Sequence, residues 1–249
     1  MERIVEICTG SYQDCLAAYH GGAKRVELNS ALSVGGLTPS VAVLRQVKRD
    51  TDLKVICMVR PRAAGFCYEP EDVRIMMEDA RILLEEGADG IAFGFLTPDA
   101  QVEKGATARM CDLIHSFGKE AVFHRAFDVC ADPFAAMDIL IACGIDRLLT
   151  SGQQEKAAQG VSLIRMLQAR FHAHIEILAG SGVNAGNARQ LMAATGIHQV
   201  HASCKTFSPD PTTRKGPVSY AYLSGPHEDE YDVVSEELVR QLVQAVQGD

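Results

Sequence analysis

Apolar positions along the chain fall into eight short runs, each separated from the next by a stretch with helical spacing. The runs are IVEIC (4–8), RVELN (25–29), VICMVRP (55–61), GIAFGF (90–95), AVFHRAF (121–127), RLLTSG (147–152), IEILAGSG (175–182) and QVHAS (199–203). Most end in a polar or glycine-bearing cluster. Strands alternating with helices predict a parallel sheet, and eight such units predict its closure into a (β/α)8 barrel. Chemistry is then expected at the carboxyl ends of the strands, where the connecting loops converge.

Ser11 is a predicted N-cap for a helix over 12–21 that stops at Gly21-Gly22, and Pro39 suits the first turn of the second helix. Further helices are expected over 71–86, 106–117, 132–143, 155–171, 184–195 and 233–247, with Asp132-Pro133 as a start signal. Residues 204–232 break the pattern. They hold four prolines and the acidic run HEDEYD, and are too long for an ordinary connection. The expectation is a single-domain α/β protein over 1–249, a TIM-type (β/α)8 barrel with a long loop after strand eight. The 204–232 segment covers the mouth or makes a subunit contact, in a homo-oligomer (dimer or tetramer).

At 249 residues the chain has the usual length of one such barrel. Its formal charge of −8, with no basic stripe, excludes a nucleic-acid footprint. No long apolar segment predicts a membrane span, and no charged leader precedes the first strand. The eight cysteines lack a small-domain spacing pattern, which fits reduced thiols. Cytoplasmic residence is therefore expected.

Side chains alternate along a strand, and the outer face of a barrel strand packs against apolar helices. Charged residues within the runs are thus expected inside or at the mouth. This puts Glu6 and Cys8 inside on strand one, Glu27 and Asn29 on strand two, Arg60 on strand three, His124 on strand five and His201 on strand eight. Thr150 or its neighbour Ser151 serves strand six. Closure makes strands eight and one neighbours, so Cys8, His201 and Ser203 are expected close together. Glu27 with Arg60 reads as a general base with its electrostatic partner, or as a buried ion pair that fixes register. His124 with Arg125 and Asp128 reads as an acid–base histidine oriented by a carboxylate, or as a satisfied core histidine.

Gly180-Ser181-Gly182 follows strand seven and opens a helix, a place where backbone amides can hold an anion. The loop after strand eight, ASCKTF, lacks glycine, so half of a phosphate cradle is present; Lys205 could compensate by charge, and a plain tight turn is the alternative. No CxxC or HExxH spacing marks a metal centre. Soft thiolates would suit Cu(I), and Cys8 is the cysteine placed inside the barrel near the mouth. An inert buried thiol is the alternative for each cysteine.

The runs VEICTGS (5–11), RVELNSALSVGGLTPS (25–40), VRPRAAGFCY (59–68), ADGIAFGFLTPD (88–99), FHRAFD (123–128), LLTSG (148–152) and AGSGV (179–183) together resemble the CutC family. The likeness runs from strand one to strand eight in order, and is close to bacterial members. It implies a TIM-type barrel, a role in cytoplasmic copper homeostasis and binding of copper as Cu(I). Copper binding in some members is attributed to two cysteines, one in the strand-one motif and one directly after Glu-Leu in strand two. Cys8 matches the first, while Asn29 stands at the second and cannot supply a thiolate. Two function classes are carried forward. One is a copper-binding protein. The other is an enzyme acting on a small anionic or phosphorylated metabolite, with His124 or Glu27 moving a proton, Arg60 and Arg125 holding the anion, and Glu6, Thr150, Ser151 and His201 lining its pocket.

Overall fold

The computed structural model describes residues 2–248. Eight parallel strands close into a barrel in chain order: β1 (Ile4–Thr9), β2 (Arg25–Leu28), β3 (Lys54–Met58), β4 (Gly90–Phe93), β5 (Glu120–Phe123), β6 (Arg147–Thr150), β7 (Glu176–Ala179) and β8 (Gln199–Ala202), with β8 pairing back to β1. Around them lie α1 (Tyr12–His20), α2 (Val41–Asp50), α3 (Pro70–Glu85), α4 (Lys104–Ser116), α5 (Pro133–Ala142), α6 (Val161–Phe171), α7 (Ala188–Thr195) and α8 (Glu236–Gln247). Both faces of each strand are covered, which is why the strands read as short apolar runs. The helices bury one stripe each. In α8 that stripe is Val239, Leu242 and Val246, and the Ser235 hydroxyl accepts from the Leu238 N–H to start the helix.

Three helices begin later than their spacing predicts; α8 starts at Glu236 and not at 233, because Val233 and Val234 end an antiparallel strand. The expected start of α6 at 155 gives way to a loop over 151–160, because Gly160 folds back onto the end of β6. A Cβ placed on Gly160 would lie 1.9 Å from the Ser151 carbonyl oxygen. The expected start of α7 at 184 is likewise displaced to Ala188, since Asn184 and Asn187 bond each other's backbone in a turn.

The outer apolar core, between strands and helices, is extensive; the inner one is small, a cluster of Ile56, Met58, Ala92 and Val122 with Leu149 and Leu178 buried on β6 and β7. Much of the remaining barrel interior is polar. At the amino end Arg25 pairs with Glu6 at 2.6 Å, Arg147 pairs with Glu120, and the Gln199 amide oxygen accepts from both guanidinium groups. Alternation places Arg25 two residues from Glu27 on the same face, so this second polar layer was within reach of the rule that located Glu6.

The 204–232 segment carries structure of its own. β9 (Lys205–Pro209) pairs antiparallel with β12 (Glu230–Val234), and between them β10 (Arg214–Lys215) pairs with β11 (Val218–Ser219). The hairpin is anchored to the barrel where the Val234 N–H donates to Asp14 at 2.8 Å and Ser235 N–H to the Cys204 carbonyl. Its first residue, Lys205, reaches the mouth.

Candidate functional site

At the carboxyl end of the strands lies a cavity of about 350 Å³. Its floor is set by strand register. Cys8 on β1 stands beside Glu27 on β2, and Glu6, one inward position below, stands beside His201 on β8. Parallel pairing of neighbours on one face therefore brings together residues almost two hundred positions apart. A ligand atom from each of Cys8, Glu27 and His201 lies within 4.8 Å of the others, the only such group of three among the described residues.

Each member is held from behind. Glu6 accepts from the His201 ring at Nδ1 (2.9 Å), which turns the other ring nitrogen toward Cys8. Asn29 donates to the Glu27 carboxylate at 3.0 Å and to Cys8 Sγ at 3.6 Å. Burial pushes the Glu6 carboxyl up, but Arg25 and His201 outweigh it and hold the group well below the usual carboxylate range. Burial alone would lower His201, yet the nearby Cys8 and its hydrogen bond to Glu6 raise it well above its ordinary value. Burial raises both Cys8 and Glu27. The cluster is thus a proton-rich assembly around one imidazole, with a thiol, an imidazole and a carboxylate converging on one point. A single ion fits this donor set through sulfur and nitrogen. Asn29 is not a third soft donor, since its amide faces the same atoms as a hydrogen-bond donor.

His124 sits just past β5. Its Nδ1 accepts from the Ala126 N–H at 3.1 Å, while Nε2 has no partner within the protein. The ring packs at a tilt of 56° against Phe66, 4.9 Å between centroids, and lies on Gly94, where an added Cβ would approach Cε1 to 2.6 Å. Burial, then the charge of Arg60, lowers the imidazole to about 3, so the ring is neutral. The Asp128 carboxylate does not orient it, contrary to the expectation for the FHRAFD run. Asp128 instead accepts from Arg125 at 2.7 Å and from the hydroxyls of Thr150 (2.5 Å) and Ser151 (2.8 Å), so its lone pairs are taken up in tying the end of β6 to the turn over Arg125–Val129. Nor does Arg60 pair with Glu27. Its guanidinium donates to the carbonyls of Val34 and Gly36, each at 3.0 Å, and of Ala64, which pins the loops after β2 and β3 together.

Of the other expected residues, Arg125, Ser181, Gly182 and Lys205 line the cavity, whereas Gly180 packs under Leu149 and His201. Thr150 and Ser151 are buried at the β6 end. Cys130 is buried and raised to about 11, and Cys67 is exposed, so neither joins Cys8. Lys156 and Phe66 line the cavity but escape the strand-based reading, because Phe66 lies in an aperiodic loop and Lys156 in a stretch whose spacing reads as helix.

The family model of CutC matches residues 3–206 of the chain. A CutC family protein of Treponema denticola is 40% identical over 97% of this chain and 98% of its own length. The chain is a member of the CutC family. Another member, from Bacteroides thetaiotaomicron, is 37% identical over 98% of both chains. A solved CutC structure from Streptococcus agalactiae, described there as a provisional copper homeostasis protein, superposes with a TM-score of 0.76 at 31% identity, covering 81% of this chain and 98% of that one. A phosphoribosylanthranilate isomerase of Thermotoga maritima, at 12% identity and a TM-score of 0.58, shares the barrel fold alone. The matched CutC region ends at residue 206, so β1 to β8 and the whole cluster lie inside it, while the β9–β12 arm lies almost wholly outside.

Proposed function

We propose that this CutC chain serves copper homeostasis by holding one Cu(I) ion between Cys8 and His201, with Glu27 beside it. The observation that carries this reading is the convergence of the three ligand atoms within 4.8 Å at the base of an open mouth. Thiolate and imidazole are donors that Cu(I) accepts. The Glu6 carboxylate behind His201 repeats the arrangement in which an outer carboxylate orients a ligating histidine. Binding must displace the protons that Cys8 and His201 carry, so affinity rises with pH. Assembly of copies through the 204–232 arm belongs to the same reading and is supported by the exposed Val218 and Tyr220 side chains there; light scattering that returned a monomer would remove it.

The test is an anaerobic Cu(I) titration against a strong competing chelator, with Zn(II) run in parallel. Cys8→Ala is expected to weaken Cu(I) binding by more than about 100-fold, and Glu6→Gln by about 10- to 100-fold, the usual effect of losing an outer carboxylate. Unchanged affinity in Cys8→Ala would remove the ligand assignment. Tight Zn(II) with no measurable Cu(I) binding would replace copper by zinc, a metal that the same three donor types also suit.

A further inference from the structure

The mouth carries a charge that the rest of the molecule does not. The chain has a formal charge of −8, yet the cavity wall holds four cationic side chains, Arg60, Arg125, Lys156 and Lys205, against one carboxylate, Glu27. Arg125 is neutralised by Asp128 at 2.7 Å and Lys205 by Asp232 at 2.8 Å. Arg60 is fixed by carbonyls only, and the nearest carboxylate to Lys156 is that of Glu155, 3.9 Å away. A wall of this sign draws anions toward it.

A buried donor lies in the same wall. Since His124 Nδ1 accepts from a backbone N–H, the proton of the neutral ring is on Nε2. That N–H has no partner within the protein, and the residue is 3% exposed. A buried donor of this kind is matched by an oxygen brought from outside. Lys156, which lines the same cavity, lies over the turn after β7. A Cβ on Gly182 would meet Lys156 Cδ at 2.8 Å, so glycine is what lets the lysine stem rest there.

We infer that the mouth is a binding site for a small organic phosphate, with a carboxylate or carbonyl oxygen of the ligand accepting from His124 Nε2–H and its phosphoryl group against Lys156 and the Ser181–Gly182 turn. The volume of about 350 Å³ sits at the small end of ligand pockets. The site stands on residues other than Cys8 and His201, and holds whether or not copper binds.

The probe is 2-phosphoglycolate, with inorganic phosphate for comparison, titrated calorimetrically into protein kept metal-free by chelators. The wild type is expected to bind 2-phosphoglycolate at one saturable site. His124→Asn retains a short acceptor for the Ala126 N–H but loses the Nε2–H. It should weaken 2-phosphoglycolate by about tenfold or more while leaving inorganic phosphate nearly unchanged. Lys156→Ala should weaken both. A second readout needs no variant: in 15N-histidine-labelled wild type, the Nε2 resonance of His124 should move as 2-phosphoglycolate saturates. No saturable heat and no shift in the wild type would overturn the inference. So would unchanged 2-phosphoglycolate affinity in both variants, or equal weakening of both probes by a folded His124→Asn, which would assign the ring a structural part only.

Discussion

His124 is a histidine that the fold keeps neutral, and this has a measurable consequence for stability. In the unfolded chain the ring takes a proton near pH 6.5; in the folded protein burial and Arg60 delay this to about 3. Between those values the unfolded state binds more protons, so stability falls as pH falls through the window. At pH 5.0 the ring costs about 2 kcal/mol relative to pH 7.5. His201 has the opposite sign, since its raised value contributes stability at low pH that is lost as pH rises through it. Wild type and His124→Asn share His201, so its effect cancels in their difference. Urea midpoints at the two pH values should show the variant gaining about 2 kcal/mol on the wild type at pH 5.0. Parallel behaviour would mean that the folded ring is already charged. At this scale alternation alone puts Glu6, Cys8, Glu27 and His201 on one inner face. With closure it also brings Cys8 and His201 together; what it could not give are the partners of Arg60 and His124. Asp128 is only four residues from His124 in sequence, yet a five-residue 3₁₀ turn swings its carboxylate to β6.

Among the elements, α6 is where helical spacing misled and the loop before it matters most. Residues 155–160 carry enough periodicity to pass for a first helical turn. Their path is decided instead by contact between Gly160 and the end of β6, which is tertiary and invisible to local pattern. The same detour delivers Lys156 to the cavity. Gly160→Ala should therefore cost about 2 kcal/mol or more, because its Cβ would press on backbone that cannot move aside. Gly65, in the loop after β3, has nothing within 4 Å of an added Cβ, and Gly65→Ala should stay within about 0.5 kcal/mol of the wild type. Equal losses in both would show that Gly160 is not tightly held. The arm over 204–232 escaped as an element for a related reason: two of its strands are only two residues long, and its main pairing joins residues more than twenty apart.

Over the molecule as a whole, the barrel interior is layered: a charged plug at the amino end, a thin apolar belt that includes Ile56, Met58, Ala92, Val122, Leu149 and Leu178, and the polar mouth. The eight-fold βα rhythm makes the closed barrel readable from sequence, since the helix-facing side of every strand needs apolar cover. The plug lay within reach of the same alternation, which puts Arg25 on the inner face with Glu27; its pairings were not, because the Gln199 amide that joins Arg25 to Arg147 comes from a strand more than fifty residues away from either. Glu6 joins the two polar layers, bonded to Arg25 below and His201 above. If that bridge is a coupled unit, Arg25→Leu leaves a buried carboxylate facing one imidazole and should cost about 3–5 kcal/mol. Adding Glu6→Gln removes the uncompensated charge, so the double variant should be more stable than the sum of the two single losses predicts, by roughly 1–3 kcal/mol. Urea denaturation of the four proteins at pH 7 gives this cycle directly. Strict additivity would mean that Arg25 and Glu6 act independently, and that the plug and the mouth are linked only by the backbone they share.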